Sequence, residues 1–251
     1  MSYALLHTEF KRLGSADIAA SSQRFFKTGP GEYGYGDKFH GIRVPELRRL
    51  VKRYKHLSLV DTRELLYSPF HEERLFALFL LVQRFETSHN KTEKKGVVDF
   101  YLEHKKQVNN WDLVDSSAHK IVGAYLFHYE KEYKLLHKLA SQERLWDRRI
   151  AIIACFYFIK QKHFDTLLVL AEQLLHDSDD LIHKAVGWML REAGKQDIRV
   201  LTGFLNQHAS VMPRTMLRYA IEKLSKAERQ HYMSLANLWK NIKKTQLFLY
   251  T

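Results

Sequence analysis

Apolar residues recur along the chain with the spacing of one face of an α-helix. Residues 164–175 follow the i, i+3, i+4, i+7 pattern without a miss, and residues 181–193 repeat it. No proline falls between Pro69 and Pro213, so no proline ring interrupts the helices in this span. The pattern therefore predicts a succession of amphipathic helices through the centre of the chain.

The predicted helices recur at a nearly constant interval. Helix starts fall near Trp111, Trp146 and Leu181, which are 35 residues apart each time, and another follows at Pro213, 32 residues later. A period in the mid-thirties with two helices per repeat is typical of HEAT-like and armadillo-type proteins. We therefore expect an all-α fold: an α-solenoid built as a right-handed superhelix of helical pairs, with a concave basic face. The expected organisation is a single helical repeat domain over residues 1–251.

A glycine-rich segment interrupts this pattern in the amino-terminal part of the chain. Five of the eleven glycines lie between Gly29 and Gly41, which predicts a loop. The segment contains Gly-x-x-Gly-x-Gly, but no strand is predicted before it, so it fits neither a dinucleotide site nor a P-loop. Pro45 suits the first turn of a helix that continues to Tyr54.

Composition narrows the fold class and the compartment. Glycine and proline number 11 and 4 of 251 residues, about half the usual share of roughly 12%, which leaves little room for the turns of a β-sandwich or barrel. The single cysteine, Cys155, excludes an internal disulfide and a cysteine-based zinc site. No stretch reaches the roughly 20 apolar residues of a membrane span, and Met1–Ala4 lacks the features of a signal peptide. We expect a cytoplasmic protein.

The net charge indicates the kind of partner. Lysine and arginine number 40 and the acidic residues 28, which gives a formal charge of +12. Nucleic-acid binding is the commonest reason for such an excess, through neutralisation of phosphates. The alternative is a basic surface that serves solubility alone. The basic residues are spread along the chain, so a binding face would be assembled from several segments.

Two tryptophans lie at the edges of predicted apolar stripes. Trp111 and Asp115, four residues apart, share one edge of a helix. Trp188 lies on the edge of a later helix between Lys184 and Arg191, an arrangement suited to stacking beside phosphate-binding groups. The alternative for each tryptophan is a residue that only shields the edge of the core.

A third predicted helix begins with two cations. Arg148 and Arg149 lead into residues 150–159, which are apolar on every side and predict a central buried helix. Cations in a first turn oppose the helix dipole, so the guanidinium groups need an anion nearby. That anion is Asp147, Asp115, another carboxylate, or a phosphate bound in bidentate fashion.

Other kinds of catalytic site find little support. The chain has 14 histidines but no His-Glu-x-x-His and no calcium-loop spacing, so no metal site is expected. His119 lies on the same helical edge as Trp111 and Asp115, where a structural or DNA-contacting role suits it better than metal binding. There is no Gly-x-Ser-x-Gly motif, and Cys155 within an apolar run is expected to be an inert core residue.

Three segments, in this order, resemble the AlkD-type DNA alkylation repair family of HEAT-like alkylpurine DNA glycosylases. They are Asn110-Trp-Asp-Leu-Val-Asp115, Leu145-Trp-Asp-Arg-Arg-Ile-Ala151 and Lys184-Ala-Val-Gly-Trp-Met-Leu-Arg-Glu192. Two further segments look like parts of the same pattern: Gly41-Ile-Arg-Val-Pro45 and Met212-Pro-Arg-Thr-Met-Leu-Arg-Tyr-Ala220. The resemblance extends over most of the chain, from roughly Phe25 to Leu224.

The resemblance implies an enzyme that removes cationic alkylated purines from duplex DNA without a metal or any other cofactor. Asp115 matches the catalytic carboxylate, Trp111 and Trp188 match the two active-site tryptophans, and Arg149 matches a phosphate-binding arginine. The further DNA contacts that we expect are Arg148, Lys184, Arg191, Arg214 and Phe25. The expected partner is double-stranded DNA containing alkylated bases. The protein would be a monomer that binds no membrane and needs no obligatory protein partner. It would be associated with the nucleoid when bound to DNA.

One departure from the family pattern keeps other functions open. Enzymes of the family often carry a tyrosine near the amino terminus where this chain has Phe25 or Phe26, so a hydroxyl is lost. The first alternative is a non-catalytic HEAT-like protein that binds branched or distorted DNA, since a fold alone does not establish an activity. The second is a protein-binding scaffold whose concave face takes an acidic partner.

Overall fold

The computed structural model of the protein describes residues 3–130 and 133–235. Within these ranges the chain is built of helices and their connections, and it contains no strand. A single isolated bridge joins Lys38 to Phe70. The all-α prediction is therefore confirmed. Met1 and Ser2, on which the signal-peptide expectation partly rests, lie outside the described residues.

The chain forms two compact units that meet in sequence between Tyr125 and Leu126. Unit 1 contains α1 (Tyr3–Leu13), α2 (Ala16–Phe25), α3 (Val44–Arg53), α4 (Leu59–Leu66), α5 (His71–Thr87), α6 (Lys91–Glu103), a 3-10 turn (Lys105–Gln107), α7 (Trp111–Ala118) and a π-helical segment (His119–Gly123). Helix α5 is its centre, since α3, α4, α6 and α7 all pack on it. The first twelve residues of α5 are buried, charged side chains included.

Unit 2 has the layered order of a helical repeat. After α8 (Ala124–Tyr129), it contains α9 (Lys134–Ala140), α10 (Leu145–Lys160), α11 (Asp165–Gln173), α12 (Asp180–Gln196), α13 (Ile198–His208) and α14 (Arg214–Ala220), and residues 226–235 are also helical. Helices α10, α12 and α14 pack in succession, and α9, α11 and α13 pair with them. Consecutive helix pairs stacked in this way are the arrangement of an α-solenoid. The single-domain organisation stays a prediction.

The observed helix starts agree with the predicted period. Helices α7, α10, α12 and α14 begin at Trp111, Leu145, Asp180 and Arg214. Two of these starts are capped by a side chain. The Asn110 Oδ1 atom accepts a hydrogen bond from the Trp111 backbone N–H at 2.8 Å. The side chain of Asp179, the residue before α12, accepts a hydrogen bond from the Leu181 backbone N–H at 2.9 Å.

Helix α10 is buried along most of its length, as its all-round apolar sequence predicts. Cys155 is fully buried in this helix, and burial raises the pKa of its thiol. Neither α10 nor any other helix in the two described ranges combines the length and hydropathy needed to cross a bilayer.

The glycine-rich segment is a loop, and two of its glycines are required by close packing. Gly41 has a positive φ of 82°, and a Cβ atom there would lie 2.0 Å from the Ser15 carbonyl oxygen. A Cβ atom at Gly34 would lie 2.4 Å from the Phe26 carbonyl oxygen. After the loop, the predicted Pro45–Tyr54 helix is observed as α3, which starts one residue earlier and ends one residue earlier, at Arg53.

The loop is attached to α5 through a buried carboxylate. Glu72, in the first turn of α5, accepts the backbone N–H groups of His40, Gly41 and Ile42 at 3.0, 2.8 and 3.2 Å. These bonds satisfy backbone groups that burial would otherwise leave without partners. They fix the end of the loop where α3 begins.

Candidate functional site

Helix α7 carries the first group of predicted site residues. Trp111 and Asp115 lie one turn apart on the same face, and both are partly exposed. The stripe predicted to face the core is buried throughout: Leu113, Val114, Ser117, Ala118, Ile121, Ala124 and Tyr125. Trp111 and Asp115 therefore lie at the edge of this stripe, as the spacing predicted.

Two consecutive phenylalanines at the end of α2 pack on Trp111. The Phe26 ring stacks on the indole with centroids 5.4 Å apart and planes 19° from parallel. The Phe25 ring meets the same indole edge-on at 5.8 Å and 75°, and 63% of Phe25 is exposed. Both candidates for the amino-terminal aromatic position thus contact Trp111, and Phe25 is the one that presents its ring to solvent.

A buried histidine lies beneath this aromatic stack. The His71 ring packs against Phe26 at 4.6 Å and against Phe39 at 5.0 Å. Its Nδ1 atom is 3.1 Å from a carboxylate oxygen of Asp37, and its Nε2 atom is 2.8 Å from one of Asp112. His71 thus connects α5 to the first turn of α7.

The two carboxylates keep His71 protonated. Burial by itself lowers the pKa of His71, but the charge and hydrogen bond of Asp112 and the hydrogen bond to Asp37 outweigh it and raise the pKa to about 9. For Asp37, burial raises the pKa, whereas the hydrogen bond with His71 and the charge of Arg74 lower it below its usual value. Arg74 and Asp37 form a buried ion pair at 2.6 Å.

The helix of Trp111 and Asp115 changes its winding one turn later. His119–Gly123 form a π-helical segment directly after α7. π-helical segments are rare in proteins, and those that occur are often found at functional sites. His119 begins the segment and is buried. Of the two roles expected for it, structural or DNA-contacting, burial favours the structural one.

Helix α12 carries the second group of predicted residues. Trp188 is partly exposed, its indole N–H donates to Glu192 at 3.1 Å, and its ring lies 5.8 Å from that of Phe156 on α10. Helix α14 packs closely on α12 at this point, because a Cβ atom at Gly187 would lie 2.4 Å from the Met216 carbonyl oxygen.

The predicted DNA-binding cations of α12 and α14 have acidic or carbonyl partners within unit 2. The Lys184 ammonium lies 2.8 Å from Asp180, an exposed pair within one turn of α12. Arg191 contacts Glu222 and Glu192. Arg214, in the first turn of α14, donates to the carbonyl oxygen of Met233 at 3.3 Å.

Arg148 and Arg149 have different surroundings. The Arg148 guanidinium grips Asp177 through two bonds, at 2.6 and 3.2 Å, and also donates to two backbone carbonyls. The anion that compensates Arg148 is therefore neither Asp147 nor Asp115. Arg149 is only 5% exposed, and it donates to the Leu181 carbonyl oxygen at 2.6 Å.

Residues 6–224 match the sequence profile of the family described as DNA alkylation repair enzyme. The chain belongs to this family. The fold also resembles the solved structure of a predicted DNA alkylation repair enzyme from Enterococcus faecalis, with a TM-score of 0.66 and 18% sequence identity. That match covers 85% of this chain and 97% of the other. Among curated protein sequences, none matches this chain.

Membership of the DNA alkylation repair family supports a role in the repair of alkylated DNA. The site residues expected of this family member fall into two groups. Unit 1 brings Phe25, Trp111 and Asp115 close together, and in unit 2 Arg149 contacts the first turn of the helix that carries Trp188. Their combination into one site stays a prediction. The internal ion pair of Arg148 argues for a structural role, and its expected contact with DNA also stays a prediction.

This member of the DNA alkylation repair family also has a cluster of potential metal ligands in unit 1. The atoms involved are His7 Nδ1, His40 Nε2 and a carboxylate oxygen of Glu73. The two nitrogens lie 2.5 and 2.8 Å from the same Glu73 oxygen, which are hydrogen-bond distances. Hydrogen bonding accounts for the cluster, and the expectation of no metal site stays a prediction.

Sequence reasoning missed the His71 network of this family member. Asp112 belongs to one of the family-like segments, but the segment indicates no role for it, and no motif marks Asp37 or His71. Asp37 lies 34 residues before His71, and Asp112 lies 41 residues after it. Separations of this size do not place residues on the same turns of one helix. Only tertiary packing brings them together.

Proposed function

We propose that this protein is a monofunctional DNA glycosylase. It removes cationic alkylated purines, of the N3-methyladenine and N7-methylguanine type, from duplex DNA by hydrolysing the N-glycosidic bond. The observation that carries the proposal is the pairing of a partly exposed carboxylate, Asp115, with an indole one helical turn away, Trp111.

The chemistry asked of these residues is modest. An N3- or N7-alkylated purine already carries a positive charge and is a good leaving group. Its departure leaves oxocarbenium character on the deoxyribose, as in glycoside hydrolysis. The Asp115 carboxylate stabilises that charge and orients the attacking water. The Trp111 face packs against the sugar, and aromatic faces favour positive charge.

The proposal also gives roles to residues of unit 2. Trp188 supplies a second indole, and Arg149 binds a phosphate of the same duplex. Lys184, Arg191 and Arg214 neutralise further phosphates of the duplex. The lesion stays largely stacked, so bulky adducts are tolerated. The reaction uses water and no metal, and the protein works as a monomer.

The test is release of free base from duplex DNA that contains N7-methylguanine. We expect the wild-type protein to release it and Asp115→Asn to be slower by roughly 10²-fold or more, because an amide cannot stabilise the developing charge. The matched control is Asp99→Asn, which changes an exposed carboxylate of the same unit that pairs with Lys95. Wild-type release no faster than that of Asp115→Asn would refute the enzymatic proposal.

The second candidate is a non-catalytic protein that binds branched or distorted DNA. The phenylalanines at the amino-terminal aromatic position favour it, because neither Phe25 nor Phe26 offers the hydroxyl of the family's enzymes. It predicts salt-sensitive binding to branched duplexes with no release of base from any methylated substrate. The same incubation with methylated DNA therefore separates the two candidates.

A further inference from the structure

The His71 network forms a row of alternating charges that ends at the proposed site. Arg74 pairs with Asp37, Asp37 with His71, and His71 with Asp112. The first three are nearly inaccessible, and His71 is only 2% exposed. Asp112 directly follows Trp111 in the first turn of α7. The row of charges therefore ends in the helical turn that carries the Trp111 indole.

Asp112 would disturb the proposed chemistry if its charge were not balanced. It lies three residues before Asp115, and residues at this spacing are neighbours on a helix. Two carboxylates so close repel each other. A second negative charge would also draw the cationic sugar away from Asp115. The imidazolium of His71 balances Asp112 at 2.8 Å.

The His71 ring also supports the Trp111 indole through an aromatic stack. His71 packs on Phe26 at 4.6 Å, and Phe26 in turn stacks on Trp111 at 5.4 Å. His71 therefore reaches Trp111 by two routes, through Asp112 at the helix start and through the aromatic stack. A side chain that is fixed at both ring nitrogens and on its face has little freedom to move.

We propose that His71 is a positioning residue of this excision reaction, holding Trp111 and Asp115 in their working geometry through Asp112 and Phe26. This inference rests on the proposed glycosylase function. His71 itself touches neither the sugar nor the base. Its effect is on placement, and a displacement of about 1 Å can cost up to 10²-fold in rate.

The first test substitutes His71→Gln, which keeps an N–H donor for Asp112 but has no titratable proton. We expect single-turnover excision of N7-methylguanine to fall by about 10-fold or more, while the affinity for duplex DNA changes by less than about 2-fold. The control is His104→Gln, the same change at another buried histidine of unit 1, which contacts Tyr67 and Phe100 instead. The control should keep the wild-type rate.

The pH profile separates positioning from mere support of the fold. The charged groups that face His71 are Asp37 and Asp112, with Arg74 behind Asp37, and the uncharged rings of Phe26 and Phe39 pack against it. The wild-type rate should decline as the pH rises through about 9, where His71 loses its proton. His71→Gln should lack this alkaline decline. A purely structural role would lower the rate equally at every pH and leave the decline in place.

Asp112→Asn keeps the test decisive if His71→Gln does not fold. Removing the charge of Asp112 should move the alkaline decline to lower pH by about one unit or more, because the largest influence that raises the pKa of His71 is lost. A decline at the wild-type pH in this variant would refute the inference.

A measurement without substrate keeps the two proposals apart. The indole N–H resonance of Trp111, assigned with Trp111→Phe, should shift with a midpoint near pH 9 in the wild-type protein and not in His71→Gln. If the wild-type protein releases no base, the glycosylase proposal fails, whereas the resonance still reports whether His71 acts on Trp111. If the protein is active but the rate and the alkaline decline of His71→Gln match wild type, the positioning inference is wrong.

Discussion

The proton on His71 makes the stability of the fold depend on pH in a predictable direction. The pKa rises from 6.5 to about 9 on folding, so the native state holds the proton more tightly than the unfolded chain does. A raised folded-state pKa stabilises the protein fully below pH 6.5, and that stabilisation is lost as the pH rises through 9. At 1.36 kcal/mol per pH unit, the loss amounts to about 3 kcal/mol.

The measurement is urea unfolding of the wild-type protein and His71→Gln, followed by circular dichroism at about pH 6 and about pH 10. Glutamine carries no titratable proton, so the difference in unfolding free energy between the two proteins isolates the contribution of His71. We expect this difference to shrink by about 3 kcal/mol from the lower pH to the higher one. A difference that stays constant across this range would show that His71 does not carry the proton in the fold.

Two further predictions concern binding and packing. Lys184→Ala should lower the slope of log affinity against log salt concentration by about 1, without changing the preference for alkylated over normal duplex. The control is Lys95→Ala, which changes an exposed lysine of unit 1 and should leave the slope unchanged. Equal slopes for the wild-type protein and both variants would remove Lys184 from the proposed interface. Gly41→Ala should destabilise the fold by several kcal/mol in thermal or urea unfolding, because its Cβ would meet Ser15 and its φ is positive. Gly96→Ala, in α6 with nothing within 4 Å, should instead stabilise it by about 0.5–1 kcal/mol, and a similar effect at both glycines would contradict the packing argument.

Local signals in the sequence are sufficient to locate several of the helices. An Asn cap before Trp111, an Asp before α12 and a proline before Arg214 act within a few residues, so the starts of α7, α12 and α14 follow from short-range chemistry. The buried stripe of α7 also follows from its 3.6-residue period, which places Trp111 and Asp115 at its edge.

The partners of the buried charges could not be predicted in this way. The sequence indicates that Arg148 needs an anion, but that anion, Asp177, lies 29 residues away in the connection between α11 and α12. His71 meets Asp112 only because α5 and α7 pack together in unit 1. Such pairs depend on where helices cross, and a single sequence shows the periodicity of each helix but not the crossing.

Glu72 gives the glycine-rich loop a consequence of its own. Consecutive backbone N–H groups that converge on one acceptor form a nest for an anion, and many proteins use such a nest to cradle phosphate. Here the protein's own carboxylate occupies the nest formed by His40, Gly41 and Ile42. The loop is therefore an anion cradle that the protein fills itself, and these three N–H groups are not available to an external phosphate.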